Sequence, residues 1–240
     1  MSLLEEEGIK DNTIVIFTSE QGAQFPFCKW TNWDNGVHTG FIVRWPGTIK
    51  ANTRTNALIQ YADVLPTLLE AVGGKADESM DGSSFLQVLQ GTKEIHREFA
   101  YFMHNNVPEG PSYPIRSVTD GEHHYIRNLS SDKLYIEKHL MGRMPLNPYW
   151  DSWVFESTNS EQTLNLVTRY MNRPPEELYN SQNDPDELEN LIDNEKLKNV
   201  KTKLSTALDN WMAVQGDPGA EIDSFEELNN ARKGNHFKIH

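Results

Sequence analysis

The chain has 240 residues, 24% of them charged and 37% hydrophobic, with a formal net charge of −13. That length accommodates one large domain or two small ones with a real core, and the negative balance argues against general binding to nucleic acid or to an anionic membrane, although a small basic pocket can still sit in an acidic protein. Cys28 is the only cysteine, which excludes an intrachain disulfide, and no apolar run is long enough to span a bilayer.

Met1-Ser2-Leu3-Leu4-Glu5-Glu6-Glu7 is acidic where a signal peptide is basic and then apolar, so these residues leave the compartment open. Residues 3–10 read as the end of a helix closed by Gly8. Residues 13–18 form a short continuous apolar run rich in β-branched side chains, which predicts a strand buried on both faces, of the parallel-sheet type. Phe41-Ile42-Val43-Arg44-Trp45 predicts a second strand, ended by Pro46-Gly47. Ile59, Ala62, Leu65, Leu68, Leu69 and Val72 recur at helical spacing before Gly73-Gly74, and Pro66 fits if it lies in the first turn. The first 75 residues thus read as α/β.

The texture then changes. Residues 99–103 predict a strand, and residues 115–118 and 123–127 a hairpin around Asp120-Gly121. Residues 140–160, rich in proline and tryptophan, read as a long irregular segment. Leu197, Val200, Leu204, Leu208, Trp211 and Met212 form one apolar stripe, which predicts a long amphipathic helix ended by Gly216. An antiparallel sheet packed by one helix is an α+β unit. The last twenty residues are polar and read as loosely ordered.

Functional groups in open α/β sheets gather at the carboxyl ends of strands, and Glu20 and Gln21 stand at such an end. A carboxylate beside an amide oxygen, followed by a glycine, suits a hard cation such as calcium; the same pair also serves as a plain loop cap. Lys29 lies among Phe25, Phe27, Trp30 and Trp33, as either a desolvated anion contact or a surface lysine whose stem packs on rings. Cys28 has no local base and reads as a small buried thiol. His38, His104, His123 and His124 show no ligand spacing of the His-x-x-x-His kind.

The run "DNTIVIFTSEQG" followed by "KWTNWDNGVHTGFIVRWPG" resembles the second half of the sulfatase catalytic domain, which has a strand ending in Thr-Ser-Asp-(Asn or His)-Gly, then Lys-Gly-Thr, then a "FIVRWPG" strand. "YADVLPTLLEAVGG", "MDGSSFLQVLQG", "IRSVTDGEHHYIRN" and "RPPEELYNSQNDPDELENLI" resemble later elements of the same family, in order. "FPFCKWTN" is similar to the sulfamidase branch, which cleaves N-sulfate from glucosamine. The resemblance implies part of an alkaline-phosphatase-like α/β domain with a parallel or mixed sheet over residues 1–95, a small α+β subdomain over 96–220 with an antiparallel sheet and one long helix, and a polar tail over 221–240. It implies that Glu20 and Gln21 are calcium ligands, that Lys29 contacts sulfate, that Thr31 matches the motif threonine, and that the substrate is a sulfated carbohydrate. His104 and Asn105, on the loop before Pro108-Glu109-Gly110, are candidate contacts to sugar hydroxyls.

Glu20 and Gln21 are each one methylene longer than the usual Asp-Asn pair, and Trp30 replaces the glycine after the lysine. Sulfatases form a formylglycine nucleophile in a Cys/Ser-x-Pro/Ala-x-Arg motif. Cys28 is followed by neither the proline nor the arginine, so the nucleophile and the remaining acidic metal ligands are expected upstream of Met1 and this chain alone is expected to be inactive. Phosphodiesterases and phosphonate hydrolases of the same superfamily, or a non-catalytic glycan- or protein-binding remnant, are the alternatives. The lone apolar strand is expected to pair with a missing N-terminal half or to self-associate. Periplasmic or secreted localisation is what the resemblance implies.

Overall fold

A computed structural model of the chain describes residues 1–106, 110–142, 148–224, 226, 229 and 230. In chain order the elements are α1 (Ser2–Glu6), β1 (Val15–Thr18), α2 (Asp34–Val37), β2 (Phe41–Arg44), α3 (Val64–Ala71), α4 (Leu86–Leu89), β3 (Ala100–His104), β4 (Ile115–Thr119), β5 (His123–Asn128), α5 (Lys138–Met141), α6 (Tyr149–Glu156), α7 (Glu161–Met171), β6 (Glu176–Asn180) and α8 (Lys198–Val214). They form two units, one of Met1–Glu20 with Thr39–Ala100, the other of Gln21–His38 with Tyr101–His240.

In the first unit β1 pairs antiparallel with β2, Ile16 opposite Val43 and Phe17 opposite Ile42. Side chains alternate across a strand, so Ile16 and Val43 turn inward, where with Val64, Leu68 and Phe85 they line a narrow apolar gap under α3 and α4. Phe17 and Ile42 take the other face and are 66% and 63% exposed. The expected burial on both faces is therefore not met, and among the described residues β1 has no parallel partner. A continuous apolar run reports a strand with two apolar faces, but burial also needs a layer against each face. Pro66 falls in the first turn of α3, where its missing N–H costs no helical bond.

The entry to α3 is built on Asp63, whose side chain is fully buried. Asp63 accepts from the backbone N–H of Gln60 at 2.7 Å and of Ser83 at 2.9 Å, and pairs with Arg97 and with His96. Gly82 lets this loop approach, because a Cβ there would run into the Ala62 carbonyl.

The second unit carries a four-stranded sheet in the order β3-β4-β5-β6, with β4–β5 and β5–β6 paired antiparallel. The β4–β5 hairpin turns at Asp120-Gly121, with Gly121 at φ +91° and Asp120 Oδ1 accepting from the N–H of His123 at 2.8 Å. Leu204 and Leu208 of α8 are wholly buried, the apolar stripe predicted from the sequence, and α8 packs on β4 and β5. The antiparallel sheet with one long helix is the α+β arrangement anticipated for this region.

Residues 149–156 are not irregular as expected: α6 occupies them, with Pro148 at its N-cap. Residues 143–147 of that segment and most of 221–240 lie outside the described residues. α7, capped by Ser160 accepting from the Thr163 N–H at 3.2 Å, and β6 were not anticipated. Together with Trp33, Tyr113, Tyr135 and Trp150, Val167 and Tyr170 of α7 form an aromatic-rich core.

Candidate functional site

Residues 21–38, which carry Lys29, are fixed to the sheet of the second unit by polar contacts. Asn32 donates to Ser117 Oγ on β4 at 3.1 Å, Trp33 Nε1 to Glu177 on β6 at 3.1 Å, and the Asp34 N–H to Glu187 at 2.9 Å. Within this segment two glycines permit a tight fold-back. Gly22 has φ +59°, and a Cβ on it would stand 2.6 Å from the Lys29 nitrogen; one on Gly36 would meet Thr31 Oγ1 at 2.6 Å. The Lys29 N–H donates to the Ala23 carbonyl at 3.0 Å. Phe27 and Trp30 on either side of Lys29 both have φ +66°, a region bulky L-residues rarely enter.

Lys29 is partly buried, and its Nζ stands 5.9 Å from the Trp30 ring centroid. Thr31 is buried and its hydroxyl donates to the Cys28 carbonyl at 2.6 Å, so it braces the loop. Burial pushes the Cys28 thiol above its usual pKa, which keeps it protonated and a poor nucleophile. Glu20 and Gln21 are both exposed; Glu20 closes one unit and Gln21 opens the other. Among the described residues no group of three or more His, Cys, Asp or Glu side chains is placed to hold a metal ion. Calcium takes six to eight oxygen ligands, so Glu20 and Gln21 alone do not make a calcium site.

Asn105 faces inward, its Oδ1 accepting from Arg116 at 2.8 Å, and Arg116 is wholly buried in a two-point pair with Asp217. His104 lies at the end of β3, with its ring centroid 6.3 Å from that of Tyr135. Tyr135 also donates its hydroxyl to the Trp30 carbonyl at 2.5 Å, which places one buried tyrosine against both the Lys29 loop and His104. Pro108 and Glu109 of the adjoining loop lie outside the described residues. Behind Tyr135 and Trp33 sits Arg173, its guanidinium 3.8 Å and 4.2 Å from their ring centroids and almost fully buried.

Sequence reasoning missed Tyr135, His139 and Glu187; the first two carry no local motif, and Glu187 lies in the run "RPPEELYNSQNDPDELENLI", which was matched to the family without singling it out. It also passed over Ser112-Tyr113-Pro114-Ile115-Arg116, which has the bare Ser-x-Pro-x-Arg spacing. The structure explains that spacing as the entry to β4, with Tyr113 and Arg116 wholly buried. The Arg116 guanidinium is engaged by Asp217 and cannot face a reacting group.

A family model described as N-sulphoglucosamine sulphohydrolase, C-terminal, matches residues 22–135. An ulvan-active sulfatase of Formosa agariphila is 36% identical over 211 residues, covering 87% of this chain and 39% of its own length. The chain thus spans about two fifths of that relative. In fold, the chain is similar to the structure of BT4656 in complex with its substrate D-glucosamine-2-N,6-O-disulfate, with a TM-score of 0.63 at 18% identity over 92% of this chain and 38% of the other. A phosphonate monoester hydrolase from Silicibacter pomeroyi is also similar, with a TM-score of 0.58 at 16% identity over 88% of this chain and 37% of the other. The solved structures show the shared fold; the family model and the Formosa agariphila relative, taken with the motifs around Lys29, mean that the chain belongs to the sulfatase family and matches its C-terminal portion.

Proposed function

We propose that this chain provides the sulfate-recognition part of a hydrolase that cleaves a sulfuric ester or sulfamate on a sulfated carbohydrate, with Lys29 as the sulfate contact. The observation that carries the reading is the Lys29 loop itself. Two glycines fold it back, two side-chain bonds tie it to the sheet and a third bond ties it to buried Glu187 beyond β6, so an ammonium group is held on a preorganised turn. A fixed cation beside a sulfate offsets charge on the bound group and on the developing transition state without reorganising. The family supplies the rest of the reading: a formylglycine nucleophile and further metal ligands outside the matched portion, hence no turnover by this chain alone, and export to the periplasm or beyond the cell. No helix of the described residues is long and apolar enough to cross a membrane. Glu20 and Gln21 belong to the proposal only as two members of a larger calcium ligand set.

Titration calorimetry of the full chain with glucosamine 6-sulfate tests this. Lys29→Ala is expected to weaken binding about tenfold, the loss of one charge-assisted contact. An unchanged affinity would overturn the reading. Tighter binding of a phosphonate monoester than of the sulfate would instead favour phosphonate hydrolysis, the activity named for one of the structural neighbours.

A further inference from the structure

Trp30 keeps a bulky side chain on a left-handed backbone, φ +66°. Such residues are strained and persist where the surroundings over-determine them, often at sites of function. Glycine would take this backbone freely. The indole stacks on the His139 ring, centroids 5.0 Å apart and planes within 12°. Its inner part packs against the aromatic core, yet both rings remain partly exposed, so the stack does not close the core. It is held rigidly from both sides. Tyr135 pins the Trp30 carbonyl at 2.5 Å. Fully buried Glu137 caps α5 by accepting from the N–H groups of His139 at 3.0 Å and Leu140 at 2.9 Å. Gln24 Nε2 donates to the His139 carbonyl at 3.4 Å. The Lys29 ammonium stands 5.9 Å from the same indole.

A flat, preorganised aromatic surface beside a cation suits a ligand with an apolar ring face and an anionic substituent. A pyranose offers its axial C–H groups to such a surface, and its sulfate ester reaches the neighbouring ammonium. We propose that the Trp30–His139 stack is a sugar-binding shelf that makes this site select sulfate carried on a carbohydrate ring over a small sulfate. The inference rests on Lys29 being the sulfate contact, and it adds Trp30 and His139 as the specificity-determining residues.

Two probes, glucosamine 6-sulfate and inorganic sulfate, separate the two ideas when titrated into the full chain, with circular dichroism to check folding. Trp30→Gly, which suits the backbone, is expected to weaken the sulfated sugar about tenfold, the burial of one ring face, and to leave inorganic sulfate unchanged. Trp30→Phe keeps a flat ring and is expected to retain most of the affinity. His139→Ala weakens only the sugar. Lys29→Ala weakens both probes and reports on the sulfate contact independently. If Trp30→Gly leaves the sugar untouched while Lys29→Ala lowers it, the shelf is wrong and the lysine assignment stands. If Trp30→Gly weakens both probes equally, Trp30 only sets the lysine loop and the shelf is again overturned. Should Trp30→Gly not fold, an unaffected sugar affinity in His139→Ala overturns the proposal. Failure of the unmodified chain to bind either probe removes both ideas together.

Discussion

Glu187 shows how one buried carboxylate organises the neighbourhood of the lysine loop. It is wholly buried at φ +51°, and accepts from Asp34 N–H at 2.9 Å, His124 Nδ1 at 2.8 Å and Ser181 Oγ at 2.7 Å. Removing it leaves three donors without their acceptor, and breaking a buried charge pair costs about 3 kcal/mol or more. Glu187→Ala is therefore expected to lower the free energy of unfolding by about that amount in a denaturant titration, and an effect below about 1 kcal/mol would show the contacts to be dispensable. The pair also sets a pH dependence. Burial alone would lower the His124 pKa, but the charge of Glu187 and its hydrogen bond, helped by Asp34 and Glu177, outweigh it and raise it. A histidine whose folded pKa lies above its unfolded value of about 6.5 adds stability that is complete below that value and is lost as pH rises through the folded one. Stability measured across that window should fall with rising pH in the wild type and stay flatter in Glu187→Gln. Equal slopes would mean that His124 is not charged by this partner.

At the scale of elements, Asp63 does for α3 what Glu187 does for the lysine loop. It closes the capping box with Gln60 and ties the chain at Ser83, His96 and Arg97 to the start of the helix. Asp63→Asn keeps the shape but removes the charge that Arg97 needs, and is expected to destabilise the first unit by about 3 kcal/mol. Hydrogen exchange at the α3 amides reads this directly, and unchanged protection would show that Arg97 finds other compensation. Which elements were legible in the sequence follows from the same contacts. The β4–β5 hairpin was legible because Asp120-Gly121 is a turn signal of its own, and α8 because its buried leucines keep helical spacing. β6 was hidden because its inward side chain at Glu177 is polar: it is 1% exposed and takes hydrogen bonds from Trp33, Asn128 and Tyr179. A buried acid inverts the alternation on which strand reading depends. α7 was masked by its polar outer face and by the proline-rich segment before it. At the site, the aromatic neighbours of Lys29 drew attention to it, but only its resemblance to a family motif favoured an anion contact over a surface lysine. Tyr135 and His139 lie a hundred residues away in sequence, and no spacing rule connects them to it.

At the scale of the whole molecule, the surface that matters is the outer face of β1 and β2. Phe17 and Ile42 sit directly opposite each other in register and are both largely exposed. Covering each side chain contributes about 1.5–3 kcal/mol, and a two-stranded sheet gains little from its own ladder. This face should therefore draw a cover, either a second copy or another polypeptide that lies on it. The net charge of −13 opposes the first choice, because like-charged copies repel. Salt shortens the range of that repulsion, with a Debye length of about 10 Å at 0.1 M falling to about 3 Å at 1 M, and leaves the apolar attraction intact. Self-association of the purified chain should thus rise with ionic strength in sedimentation velocity, together with loss of binding of a hydrophobic dye. The double variant Phe17→Thr and Ile42→Thr keeps strand-compatible side chains and should abolish both responses. A chain that sediments as a monomer at every salt concentration and binds no dye would show that this face does not need a cover. Association that survives the double variant would place the contact elsewhere on the molecule.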